Sequence, residues 1–347
     1  MHKYIEVLQK EVAPAQGCTE PIAVAYGVSI AAEQLEGPAE SIQLYLSGNI
    51  VKNALGVGIP GTGRTGIDIA ALLGAVIRRS DKKLEILNGM TEEQLTDIRN
   101  AVKERRTSKI GIGLGNIYKR VHILYGEMSV KEIYEFATTI PFDEISFLLE
   151  GAKMNRAVSQ EGLRGDYGLR VGKAFSGALG GLMQPTLGGD IVAAAAAASD
   201  ARMDGCPMPV MTTGGSGNQG ITCSVPLIEY AKELHCGKEK LYRALILSNL
   251  VAIHEKTGIG TLSAYCGAVS AGAGAGAGIA YLCGGGYQEV IHTVVNALAV
   301  VSGIVCDGAK ASCAAKIAQA VEAGILGYNM YIRGQQFYGG DGIVAKD

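Results

Sequence analysis

The chain has 347 residues, a formal net charge of −2, and 49 glycines, about twice the ordinary glycine share of roughly 7%. A charge this close to zero, with no basic stripe, gives no footing to a nucleic-acid partner. Trp is absent and Phe scarce, so the core has to come from close backbone approach between Ala- and Gly-rich elements.

The first segment, MHKYIEVLQKEVAPAQG, reads as a charged amphipathic helix. It lacks the basic segment, apolar run and small-residue cleavage site of a signal peptide, and the cytoplasm is the expected compartment. Eight cysteines in such a chain argue against a disulfide framework and toward metal or catalytic roles for some of them.

Residues 41–48 (SIQLYLSG), 84–88 (LEILN), 108–114 (SKIGIGL) and 118–125 (YKRVHILY) read as short strands. TEEQLTDIRNAVKERR, 91–106, is a helix with Thr91 as N-cap and Glu in its first turn. Periodicity from Ile67 to Arg79 adds a second helix. From about Ser129 the pattern turns to helices separated by Gly-rich turns: KEIYEFATTI, AKMNRAVSQEG, GDIVAAAAAASDAR, VPLIEYAKELH, KEKLYRALILSNLVAIHEK and QEVIHTVVNALAVVSG. The expected fold is α+β, a mostly helical Ala/Gly-rich body over 1–39 and 130–347. A smaller α+β lobe, 40–129, is inserted after the first helices. Without βαβ alternation, or a GxGxxG between strand and helix, a dinucleotide-binding fold is not expected. The uncharged stretch 264–286 is long enough to span a bilayer. Its apolarity comes from Ala and Gly, however, so a buried, tightly packed helix is expected and no membrane partner.

Several stretches carry candidate chemistry. In CDGAKASC, Cys306 and Cys313 stand seven apart, which inside one helix separates their Cα atoms by about 10.5 Å. That exceeds the roughly 4.4–6.8 Å of a disulfide. If Asp307 caps the helix, Cys306 lies in the loop before it and Cys313 within two turns. Two thiolates so placed suit a body larger than one ion, although C-x6-C is not an established ferredoxin or zinc spacing. In QGCTEP, Cys18 sits where one helix ends and the next begins, and a thiol at a helix N-terminus tends to a lowered pKa. TTGGSGNQG, 212–220, offers free backbone N–H groups suited to a carboxylate or phosphate. SGNIVKN (47–53) and GIPGTGRTG (58–66) present the same case. His254, followed by charged residues and glycines, is the histidine best placed for function. Cys206, Cys223, Cys236 and Cys283 read as small buried hydrophobes.

QGCTEP, TTGGSGNQG, HEKTGIGTLSAYCGA and VCDGAKASCAAK occur here in the order found in the L-cysteine desulfidases, also called cysteine desulfhydrases. These are relatives of the iron–sulfur L-serine dehydratase alpha chain, and the resemblance covers nearly the whole sequence. It implies a [4Fe-4S] enzyme that converts L-cysteine to pyruvate, ammonia and sulfide without pyridoxal phosphate. It implies further that Cys266, Cys306 and Cys313 hold the cluster, with Cys283 as rival for the first position, and that Cys18 is the proton acceptor. Three protein ligands would leave one iron open as a Lewis acid. Ser216 and Asn218, with Asn49, Asn53 and His254, are the candidate substrate contacts, and a homo-oligomer is the expected assembly. The competing readings are an L-serine or L-threonine dehydratase, a pyridoxal-phosphate lyase, and a non-catalytic metal-binding or oligomeric scaffold.

Overall fold

The computed structural model describes residues 2–39, 41–103, 109–112, 128–177, 186–260 and 263–345. In chain order these form α1 (Lys3–Glu11), β1 (Pro14–Gln16), α2 (Thr19–Ala32), β2 (Gln43–Leu46), α3 (Gly48–Ala54), β3 (Gly58–Ile59), β4 (Arg64–Thr65) and α4 (Ile67–Ile77). A 3₁₀ turn (Ser80–Glu85), α5 (Glu92–Lys103), β5 (Lys109–Ile112) and α6 (Val130–Thr139) come next. A second 3₁₀ turn (Phe142–Ile145), α7 (Leu148–Arg164), α8 (Val171–Phe175), α9 (Leu187–Met203), β6 (Pro209–Met211) and α10 (Gly217–Glu233) follow. The chain closes with α11 (Lys238–Ile259), α12 (Gly267–Leu282), α13 (Tyr287–Val301) and α14 (Ser312–Tyr331). This is the mostly helical α+β fold expected from the sequence.

The strands make three two-stranded pieces. β1 and β6 run antiparallel with Pro14 opposite Met211, β2 and β5 run parallel with Gln43 opposite Lys109, and β3–β4 is a hairpin. The β1–β6 pair ties the N-terminal segment to the loop that leads into α10.

Small residues set how closely the helices approach. All six alanines of 193–198 in α9 are buried, and Ser159 on α7 donates to the Ala194 carbonyl at 2.7 Å. Between α12 and α14 a Cβ on Gly272 would lie 2.4 Å from the Ala320 carbonyl oxygen. Only glycine allows that approach, which accounts for the run of alternating Ala and Gly. Within 264–286, Gly267–Leu282 accordingly form a buried helix. Among the described residues no helix is long and apolar enough to cross a membrane.

Larger side chains fill two other regions. Leu245, Leu247, Leu250, Val290 and Val294 form the main apolar core of the body, joined by Tyr4 and Leu8 of α1. Ile59, Ile67, Leu73, Ile86 and Ile98 form a second core in the lobe. α2 belongs with that second core through Ile22, Val24 and Ala25, so Cys18 stands at the seam between the two regions.

Three local expectations are corrected. Residues 84–88 are not a strand: Lys83 is left-handed, with φ 49°, and the consecutive Ile86 and Leu87 are both buried. A strand would have sent those two side chains to opposite faces. Residues 47–53 form a helix, α3, because the Ser47 hydroxyl accepts the Ile50 N–H as an N-cap. α10 begins at Gly217, eight residues before VPLIEY, capped by Ser216; it carries Pro226 internally. At α5, Thr91 is the expected cap: its hydroxyl accepts the Gln94 N–H, and the Gln94 side chain accepts the Thr91 N–H, a reciprocal box. The strand expected at 118–125 lies outside the described residues.

Candidate active site

Four helices deliver their N-termini to one cavity of about 330 Å³. Cys18 is the N-cap of α2, Ser216 of α10 and Cys266 of α12, while Cys313 is the second residue of α14. All four line the cavity. Each helix start carries unpaired N–H groups and partial positive charge, so their convergence favours anionic contents.

Backbone pairing fixes two of the thiols. Tyr265 and Val305 form an antiparallel bridge, with the Cys266 N–H donating to Ile304 O at 3.1 Å and the Cys306 N–H to Ala264 O at 2.7 Å. In such a pair residues 266 and 306 are diagonal neighbours on one face. The third thiol arrives through the turn at 307–310. Gly308 has φ 101°, and a Cβ there would sit 2.2 Å from Lys52 O, so only glycine lets this turn press against α3. The Cys313 sulfur accepts the Lys310 N–H at 3.5 Å. Asp307 is not a helix cap, because α14 starts only at Ser312; its carboxylate pairs with Lys316 instead.

Every cysteine in the chain is free. Burial, with the charges of Cys313 and Cys306 added to it, raises the Cys266 thiol to about 11. Burial raises Cys313 as well. Among the described residues, no three His, Cys, Asp or Glu side chains close around a single ion.

The facing wall comes from the lobe. The Cys18 thiol donates to Glu20 Oε2 at 3.1 Å, Thr19 donates to the same oxygen at 2.9 Å, and Asn53 Nδ2 donates to Glu20 Oε1 at 2.9 Å. Burial alone would raise the Glu20 carboxyl, but these three donors outweigh it and hold it below the ordinary value. Cys18 moves opposite to the sequence expectation. Burial raises its pKa far above the thiol range and the Glu20 charge adds to this, while Arg202 opposes. A helix N-terminus lowers a thiol pKa only where desolvation is smaller than its own field.

Arg202 and Lys256 complete the cavity. Arg202 donates to the Gly17 carbonyl at 2.9 Å and to Asn218 Oδ1 at 3.2 Å. Lys256 donates to the Gly214 carbonyl, and burial lowers its pKa against the opposing charges of Glu11, Glu20 and Cys306.

Of the residues singled out from the sequence, Cys18, Asn53, Ser216, Asn218, Cys266, Cys306 and Cys313 all line this cavity. Asn49 and His254 are not among its lining residues. Asn49 is exposed on α3, where Ile50 and Asn53, three apart, form the inward face. His254 stands two residues before Lys256 on α11, which puts the two on roughly opposite faces. Cys283 caps the other end of α12, about 25 Å along the axis from Cys266, and bonds to the Tyr230 hydroxyl at 3.2 Å. Sequence reading passed over Glu20, Arg202 and Lys256. Two signals were available: Glu20 lies inside QGCTEP, and Arg202 is a lone cation at the end of a polyalanine helix.

Residues 81–347 match the family model for the serine dehydratase alpha chain. The chain belongs to that family. It is 45% identical to a UPF0597 protein of Clostridium perfringens, with 99% of this chain and 91% of the relative covered. A UPF0597 protein of Desulfitobacterium hafniense is 44% identical (99% and 89% covered), and one of Treponema denticola 41% identical (99% and 91%). This membership agrees with the relation to serine dehydratase expected from the four motifs.

Proposed function

We propose that this family member is an L-cysteine desulfidase, eliminating sulfide from L-cysteine at a [4Fe-4S] cluster held by Cys266, Cys306 and Cys313. The observation that carries the reading is the convergence of those thiols, at the starts of α12 and α14 and in the segment before α14, with Cys18 at the start of α2, around one cavity. The donor set fits the group. Three free thiols, Cys266 buried and Cys306 and Cys313 half-buried, line one cavity, and helix N-termini offset the negative charge of a thiolate-ligated cluster. With three protein ligands, such a cluster supplies one open iron as a Lewis acid toward the substrate's leaving group or carboxylate.

The remaining work falls to the chain itself. Cys18 takes the Cα proton, the Cα–H electron pair forms the Cα=Cβ bond, and the Cβ–S bond breaks to release sulfide. The aminoacrylate so formed tautomerises to an imine, and water hydrolyses it to pyruvate and ammonia. To accept that proton Cys18 has to be a thiolate: the Arg202 charge favours that form, while burial and the Glu20 carboxylate, which accepts the S–H, oppose it. The N-terminus of α10, with Ser216 and Asn218, supplies donors for the carboxylate.

A second reading, an L-serine or L-threonine dehydratase in which hydroxide leaves, is favoured by the family model's own description. One experiment separates them: anaerobically reconstituted protein assayed for sulfide and pyruvate from L-cysteine and for pyruvate from L-serine. The desulfidase reading expects sulfide and pyruvate in equal amounts, with L-cysteine the better substrate. Faster pyruvate release from L-serine selects the dehydratase, and absence of bound iron and acid-labile sulfide after reconstitution removes both.

A further inference from the structure

The elimination described above gives no task to Glu20 and Asn53, which both line the cavity. Glu20 is the only carboxylate among the lining residues described. Asn53 is 7% exposed, and its Oδ1 has no hydrogen-bond partner among the described residues. The orientation of that amide is fixed by chemistry, because Nδ2 faces Glu20 Oε1 at 2.9 Å and the reverse would set two acceptors against each other. An unpaired buried carbonyl is costly, and a bound donor removes the cost. The Glu20 carboxylate oxygens retain acceptor capacity beyond the three donors they already meet.

Lys256, on α11 of the body, lines the same cavity. It donates to the Gly214 carbonyl, at the loop that opens α10. The cavity therefore has an acceptor-rich, anionic pole on the lobe and a cationic pole on the body. A small molecule that satisfies both carries an ammonium and a carboxylate on one carbon, which describes a free α-amino acid.

We propose that Glu20 and Asn53 form the subsite for the α-ammonium of the substrate, with Lys256 marking the opposite pole that faces its carboxylate. The assignment rests on the cavity being the amino-acid lyase site proposed above. It predicts discrimination against substrates lacking the amine, such as 2-hydroxy and desamino acids.

The test is calorimetric binding to the full-length, cluster-reconstituted protein under anaerobic conditions. L-2-aminobutyrate is the probe, because it has the shape of cysteine without a leaving group. Butyrate lacks its amine and propylamine lacks its carboxylate. Glu20→Gln is expected to weaken aminobutyrate and propylamine about tenfold or more, as for loss of a charge-assisted pair, while butyrate binds as in wild type or more tightly. Asn53→Ala is expected to give the same amine-selective pattern to a smaller degree, and it decides the matter if Glu20→Gln does not fold. Lys256→Met gives the mirror image, weakening aminobutyrate and butyrate and sparing propylamine.

Equal weakening of all three ligands by both lobe variants would make the pair a structural brace for Cys18 and overturn the proposal. Unchanged aminobutyrate affinity in those variants, or a wild-type protein that binds none of the three, also overturns it. The lyase reading fails separately. A chain that shows the amine-selective pattern but eliminates nothing from cysteine or serine keeps the subsite and loses the lyase. An active lyase whose Glu20→Gln and Asn53→Ala variants show no selectivity does the reverse.

Discussion

The two walls of the cavity are built on opposite principles. The body wall carries thiols on helices locked together by Ala–Gly backbone contact, as where Gly272 meets Ala320, and so has little freedom to move. The lobe wall is a hydrogen-bonded polar group, Cys18, Thr19, Glu20 and Asn53, set on a separate core of larger aliphatic side chains. A rigid wall suits a cofactor, whose ligand positions have to be held closely. A polar wall with an unsatisfied acceptor suits a substrate, which arrives and leaves.

Ways to break this division run from severe to slight. Cys306→Ala or Cys313→Ala is expected to abolish cluster retention and lower turnover by at least about a hundredfold. Iron and acid-labile sulfide analysis with unchanged far-UV circular dichroism checks it; proportional loss of fold and turnover would make the thiols merely structural. Cys18→Ser is expected to lower kcat by about 10²–10⁴ at unchanged iron content. A variant that instead loses its iron would put Cys18 on the cofactor side of the division.

Gly272→Ala places a Cβ 2.4 Å from the Ala320 carbonyl oxygen. It is expected to cost about 1–3 kcal/mol of stability and to weaken iron retention, while Leu73→Val in the lobe core leaves iron retention unchanged. Chemical denaturation and iron release to a chelator read the two effects.

The smallest effect is in pH dependence. In the cluster-free protein the Cys266 thiol is raised from 9.0 to about 11, so the folded state holds that proton more tightly than the unfolded chain. Its stabilising contribution is present below pH 9.0 and lost as pH rises through about 11. Glu20 has the opposite sign: its pKa is lowered from 4.5, so its contribution is present above that value and lost as pH falls through the depressed one. Cys266→Ala should flatten the alkaline limb of a melting-temperature profile, and Glu20→Gln the acid limb. A profile in which either variant flattens both limbs would show that the walls do not titrate independently.

Much of this was legible in the amino-acid order. The long helices of the body were legible as apolar and Ala-rich runs between Gly-rich turns, although α9, α10, α11 and α12 are buried on every side rather than along one stripe; the Ala–Gly alternation gave α12 because a close-packed helix uses it. The short stretches 47–53 and 84–88 misled because their identity turns on one cap at Ser47 and one left-handed residue at Lys83. Neither leaves a periodic mark. The cysteines of the site were found by motif resemblance; spacing alone did not distinguish Cys306 and Cys313 from buried hydrophobes.

The sequence by itself determined the helical body, the Gly-permitted helix contacts and which cysteines to consider, since these depend on local pattern and residue size. Only the tertiary structure decided that four helix N-termini meet at one cavity. It alone brought Glu20, Arg202 and Lys256 to that cavity and turned Asn49 and His254 away from it. Such placement depends on how two separately packed cores dock at the seam where Cys18 lies, and residues far apart in the chain carry no local signal of meeting there. The direction of the Cys18 shift followed from the same docking: desolvation and a neighbouring carboxylate, both supplied by the folded chain, outweigh the helix end that its neighbours in sequence provide.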